Sequence, residues 1–300
     1  MRENSFKADL RAGRPTFGTW LGFGSVLVAE RLAAAGFDWL TIDLEHSPTN
    51  HETAALMALA IAARGCVPLV RVPSQSDDHI KRALDIGAYG IIAPMVTSAE
   101  QARSVVASCR YPPDGVRSFA GGRNDLAFDT DGATYFARAN DQIAVIIQIE
   151  HPRAIENIDD ILAVPGIDCA FVGPQDLSGT LGCRPMLESP EPRFREALDR
   201  ISESAHRHGV AIGIMVVTAE QANRRAEQGF GMISLASDVG SSRPRRPRSL
   251  ASLTGPGAER FARSWLRRPG RWELGRHLVV QRPSEEHSGM GIQGRQGRAD

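Results

Sequence analysis

With 300 residues, 42% of them hydrophobic and a formal net charge of zero, the chain can bury a large aliphatic core. Its length suits one (β/α)8 barrel or two ordinary domains. The charge is unevenly spread: from residue 241 onward there are 13 Arg against 5 acids, so the body before it is net acidic. An acidic body does not suggest a nucleic-acid binder, and any such role would rest on the tail alone. No apolar run reaches membrane length and no signal-type apolar core opens the chain, so the expectation is a cytoplasmic protein with no membrane partner.

After a short lead-in helix, apolar strand-like runs alternate with amphipathic helical patterns. Strands are predicted at 17–21, 39–43, 68–71, 90–94, 143–149, 169–172, 211–215 and 232–235. Helices are predicted at 26–35, 52–64, 78–86, 99–109, 192–208 and 219–228. Gly36, Gly65, Gly87, Gly209 and Gly229 close several of these helices, where glycine accepts the positive φ of a C-terminal cap. Eight strands in βα alternation imply parallel pairing and right-handed crossovers. No Gly-x-Gly-x-x-Gly follows the first strand, so the expected fold is a closed (β/α)8 barrel of α/β class rather than a doubly wound sheet.

Two segments stand apart. Residues 110–140 form a long insertion, read as a functional lid or binding loop, with a plain surface excursion closed by a short helix at 134–139 as the alternative. Residues 241–300 form a tail with prolines at 244 and 247, rich in Arg, Gly, Ser and Pro and lacking Lys, where a helix covering the eighth strand belongs. This composition reads as disorder or as a reading-frame shift near Gly240, giving a barrel at 1–240 and an atypical tail beyond. Cys66, Cys109, Cys169 and Cys183 lack metal-ligand spacing and are expected to be reduced and mostly buried thiols.

The chemistry gathers at strand ends. The second strand runs into Asp43-Leu-Glu-His46, the fifth into Glu150, and the sixth into Gly173-Pro-Gln-Asp176. Strand ends at the C-terminal mouth are where barrels hold catalytic groups. Glu150 and Asp176, from adjacent strands, suit a hard divalent cation whose other positions go to substrate and water; two solvated acids are the plain alternative. His46 beside Asp43 suits a general base in a fixed tautomer. Arg71, closing the third strand, suits a substrate carboxylate or a developing enolate. The only lysines are Lys7 and Lys81, in the lead-in and in a helix, so a Schiff-base mechanism is not expected.

The ordered set Gly18-Thr-Trp-Leu21, Ala35-Gly-Phe-Asp-Trp39, Asp43-Leu-Glu-His-Ser-Pro48, Val70-Arg71, Ala93-Pro-Met95, Tyr111-Pro-Pro-Asp-Gly-Val-Arg117, Gln148-Ile-Glu150 and Gly173-Pro-Gln-Asp-Leu-Ser178 resembles the HpcH/HpaI aldolase family over about 17–240. The resemblance implies a TIM barrel of the phosphoenolpyruvate/pyruvate-binding type, assembled as a hexamer. Its implied reaction is reversible cleavage of 4-hydroxy-2-oxo acids to pyruvate and an aldehyde, by way of an enolate stabilised by Mg²⁺ or Mn²⁺, with Co²⁺ or Zn²⁺ also acceptable. By the same resemblance Glu150 and Asp176 match the metal ligands, His46 with Asp43 the base dyad, and Arg71 the residue polarising the keto oxygen. Gln148 falls near the metal and Trp20 near the substrate, Gly173, Pro174 and Gln175 match the carboxylate-holding segment, and Asp85 matches an acid reaching an adjoining subunit's site. A citramalyl- or malyl-CoA type lyase and a catalytically silent barrel are the competing readings.

Overall fold

The computed structural model describes residues 1–241; the tail, and with it the reading of 242–300, lies outside them. The elements in chain order are α1 (Ser5–Arg11), β1 (Thr16–Leu21), α2 (Val26–Ala34), β2 (Trp39–Asp43), α3 (His51–Ala62), β3 (Val67–Arg71), α4 (Asp77–Asp85), β4 (Gly90–Ala93) and α5 (Ala99–Cys109). They continue as α6 (Asn124–Ala127), α7 (Gly132–Gln142), β5 (Ala144–Ile149), α8 (Pro152–Glu156), α9 (Ile158–Leu162), β6 (Cys169–Val172) and α10 (Pro174–Thr180). The last are α11 (Pro192–His208), β7 (Ala211–Val216), α12 (Ala219–Glu227), β8 (Met232–Ser237) and α13 (Asp238–Ser241). The eight strands pair in sequence order and close into a barrel, all parallel, as expected from the βα alternation.

Helix ends obey local chemistry. Ser25, Asn50, Ser98 and Asp131 each accept a first-turn N–H, and Thr218 forms a full capping box with Gln221. The five expected glycines all adopt positive φ, between 64° and 102°. The short helices α8, α9 and α10 escape the periodicity reading, because five to seven residues are too few to show an amphipathic period.

The interior is filled from non-neighbouring strands. Trp20 of β1 meets Phe171 of β6 with ring centroids 5.7 Å apart, a contact possible only across the barrel lumen. Lower down, Trp39 fills the space left by Gly18, where a Cβ would lie 2.2 Å from its indole. Helix α1 closes the N-terminal end: Phe6 packs edge-on against Trp39 at 6.0 Å, Asn4 donates to the Tyr89 and Gln142 carbonyls, and buried Lys7 pairs with Asp168 at 3.0 Å. Cys66, Cys109 and Cys169 are buried and free, and Cys183 is free and half-buried.

The insertion corrects one expectation. It joins a helix to the following strand, and in a parallel barrel such connections lie at the N-terminal end, away from this barrel's own mouth. Arg117 is buried within it, bonded to Asp85 at 2.8 Å and to the Tyr135 hydroxyl at 3.1 Å, and stacked over Tyr111 at 4.6 Å. Tyr89 donates its hydroxyl to the Ala127 carbonyl, and the Arg123 amide donates to the Asp85 carbonyl. These contacts dock the segment beside the start of β4, so within one chain it is no lid over the site.

Candidate active site

β2 and β3 pair so that their last residues, Asp43 and Arg71, lie side by side. Arg71 donates Nε to Asp43 Oδ1 at 2.9 Å and Nη2 to Oδ2 at 2.6 Å, the bidentate fork that holds a guanidinium most firmly. The face of Trp20 supports the same guanidinium at 4.5 Å. Asp43 Oδ1 also accepts the backbone N–H groups of Glu45 and His46, at 3.0 and 3.2 Å. Burial alone would raise the Asp43 carboxyl, but Arg71 and the two amides outweigh it and hold the group below the usual carboxylate range.

This geometry corrects the expected dyad. Asp43 meets His46 through the backbone amide, not the imidazole, because strand register gives its oxygens to Arg71. The His46 side chain is 66% exposed, and the carboxylate beside its ring is Glu45, with Oε2 3.8 Å from Nε2. The same Oε2 lies 3.1 Å from Arg71 Nη1. Glu45 is raised above the usual carboxylate range, first by burial and then by the like charges of Asp43 and Asp176, against the pull of Arg71 and His46. The loop sequence shows Glu45 next to His46, but its link to Arg71 comes from tertiary structure alone.

Glu150 sits just past β5 and is buried. Its Oε1 accepts the Met95 amide at 2.8 Å, and its Oε2 accepts Gln148 Nε2 at 3.0 Å. The end of β6 presses close beside it: a Cβ on Gly173 would stand 2.1 Å from Glu150 Oε2, so a side chain there would displace this carboxylate. Burial pushes the Glu150 carboxyl up to about 7; Asp176 and Glu45 push the same way, while the Met95 amide and Arg71 oppose them. Asp176 occupies the first turn of α10 with its side chain exposed at the mouth, and Pro174 is the first residue of that helix. Gly173 has no side chain to cap α10, so the first turn, with Gln175 exposed, receives no side-chain cap.

Two buried polar atoms in this region, Trp20 Nε1 and Gln148 Oε1, have no hydrogen-bond partner among the described residues. Buried polar groups are normally satisfied, so a polar guest is expected here. Two carboxylates with an amide oxygen beside them match the ligand preference of a hard divalent cation. Among the described residues no group of three or more His, Cys, Asp or Glu side chains is placed to hold a metal ion. Asp85 is not brought to this mouth: it ends α4 at the opposite end of the barrel and pairs with Arg117. The motifs hold Met95 and Gly173, but side-chain type signals neither the Met95 amide's bond to Glu150 nor the close approach at Gly173.

A closed (β/α)8 barrel with acids, a guanidinium and an imidazole gathered at its C-terminal mouth is an enzyme architecture. The sequence model of the family described as HpcH/HpaI aldolase/citrate lyase matches residues 16–244. The chain is 41% identical over 240 residues to a 4-hydroxy-2-oxo-heptane-1,7-dioate aldolase of Escherichia coli, covering 79% of this chain and 90% of the relative. It is 38% identical over 237 residues to a 5-keto-4-deoxy-D-glucarate aldolase of Shigella boydii, covering 79% and 91%. A solved HpcH/HpaI aldolase/citrate lyase family protein from Burkholderia cenocepacia superposes with a TM-score of 0.74 at 38% identity, covering 79% of this chain and 94% of that one. The chain therefore belongs to the HpcH/HpaI aldolase/citrate lyase family and is a carbon–carbon lyase of the aldolase type.

Proposed function

We propose that this chain cleaves 4-hydroxy-2-oxo acids reversibly to pyruvate and an aldehyde, using a divalent cation, Mg²⁺ or Mn²⁺, held by Glu150 and Asp176. The observation that carries this reading is the convergence of that carboxylate pair with the Asp43–Arg71 fork at one barrel mouth. The cation would supply Lewis acidity toward the oxygens of the 2-oxo acid. Arg71, fixed by Asp43 and Trp20, presents its remaining N–H donors to the oxygen on which enolate charge develops. His46 takes the proton from the C4 hydroxyl as the C3–C4 bond breaks and the aldehyde leaves, and returns it in the synthetic direction. Trp20 and Gln148 wall the site, and the uncapped start of α10 at Gly173, Pro174 and Gln175 receives the substrate carboxylate.

The chain acts as a homo-oligomer in this reading, as the family resemblance implies, with Asp85, which lies at the far end of its own barrel, the acid that would reach another copy's site. Sedimentation or size-exclusion measurement of the full chain tests that part. The reaction itself is tested by pyruvate release from 4-hydroxy-2-oxo acids, coupled to lactate dehydrogenase, with and without EDTA and re-added Mg²⁺ or Mn²⁺. Loss on chelation with recovery on metal addition supports it. Folded protein that releases no pyruvate with either metal refutes it.

A further inference from the structure

We propose that Gln75 is a positioning residue for Glu150: its side-chain amide clamps the turn at Pro94 and Met95, so that the Met95 N–H fixes the carboxylate that holds the cation. This rests on the reading of Glu150 as a cation ligand. Among the described residues, Met95 is one of the few that take positive φ without being glycine, at 53°. Such a backbone at a residue with a Cβ is strained, and it persists only where the surroundings hold it. Burial does not hold Met95, because its side chain is exposed. Gln75 grips the backbone instead: its Nε2 donates to the carbonyls of Pro94 and Met95, at 2.8 Å each. Both N–H donors of the primary amide are thereby spent on this one turn.

The clamp joins two strand ends. Gln75 lies in the loop between β3 and α4, just beyond Arg71, and that loop is braced where Ser74 Oγ and His79 Nδ1 meet at 2.9 Å. β4 ends at Ala93, and Val96 returns to β5 by donating to the Gln148 carbonyl at 3.3 Å. Pro94 and Met95 therefore bow out between two strand contacts, and the bow turns the Met95 N–H onto Glu150 Oε1 at 2.8 Å. Gln148 Nε2 holds the other oxygen at 3.0 Å. A carboxylate has about four acceptor sites, so about two remain for a cation, and the two donors decide where those point. Without Gln75 the turn can relax to negative φ, which carries the Met95 N–H away from Glu150.

The test is Gln75→Met in the full chain, which keeps the length of the side chain and removes its donors. In protein labelled with nitrogen-15 methionine and kept in EDTA, the Met95 amide proton is identified by its response to Glu150→Gln. Gln75→Met should move that signal upfield, as the loss of a bond to a carboxylate requires. Calorimetric titration should show Mn²⁺ binding weakened about 10-fold. Adding Met95→Gly should restore affinity by about 3-fold, because glycine takes positive φ without strain. A residue that only ties two loops together would lower Tm and leave both Mn²⁺ affinity and the amide signal in place, and that result overturns the proposal. Weakened Mn²⁺ binding with an unmoved Met95 signal overturns it too, as does a Met95→Gly change that deepens the loss. Wild-type protein that binds no Mn²⁺, or Glu150→Gln that binds it as tightly as wild type, refutes the cation-ligand reading instead.

Discussion

Replacing Glu150 by Gln tests whether the buried carboxylate is held at a cost in folding stability. Burial raises this group from 4.5 to about 7. At 1.36 kcal/mol per unit, ionising it in the metal-free fold costs about 3 kcal/mol. Between those two values the folded chain keeps a proton that the unfolded chain has released, so metal-free stability falls as pH rises through that window. Gln carries no charge to desolvate. Its oxygen can keep the Met95 amide, and its NH₂ can be met by Gln148, whose Oε1 is unpartnered and becomes the acceptor if that amide turns over. In EDTA, Glu150→Gln should therefore be more stable than wild type by about 2–3 kcal/mol at pH 8, with most of the gain gone at pH 5. For a domain of this size that is a rise of about 5–10 °C in Tm, measured by scanning calorimetry or by circular dichroism melts at the two pH values. The same variant should lose pyruvate release and the stabilisation that wild type gains from added Mn²⁺. Equal or lower stability at pH 8, or a gain that does not vary with pH, would refute the reasoning.

Other substitutions probe the remaining parts of the mouth. Arg71→Lys keeps the charge but loses the fork on Asp43, and kcat/KM for the oxo acid should fall by about 10²-fold or more in steady-state assays. His46→Ala should lower kcat by about 10²- to 10⁴-fold with little change in Tm, since the ring is exposed and packs little. Gly173→Ala places a methyl against the Glu150 side chain, and should weaken Mn²⁺ binding in calorimetric titration while costing about 1–3 kcal/mol in urea unfolding. Arg117→Ala leaves Asp85 without its cation and removes the guanidinium held over the Tyr111 and Tyr135 rings, and should cost about 3–5 kcal/mol of stability by the same method.

Much of this arrangement is legible in the residues because it is local. Runs such as Val145-Ile-Ile read as strands from their β-branched apolar side chains, and glycines such as Gly209 mark helix ends because an αL cap suits them. A polar residue closing an apolar run, as at Asp43, Arg71 or Glu150, marks a strand end at the barrel mouth. Chain order could have placed residues 110–140 as well, since a helix-to-strand connection lies at the N-terminal end; loop length was the weaker guide there.

Propensity and periodicity act over neighbouring residues, so the βα order, the parallel sheet and the set of ionisable groups delivered to one mouth can be read from the chain alone. Which of those groups meet depends on long-range packing. Strand register gives Asp43 to Arg71 rather than to the His46 ring, and barrel closure brings Trp20 across to Phe171 and the Met95 amide to Glu150. Burial beside like charges then raises Glu150. Those pairings join residues 28 to 151 positions apart, and their geometry is set by closing eight strands on one core rather than by any local segment.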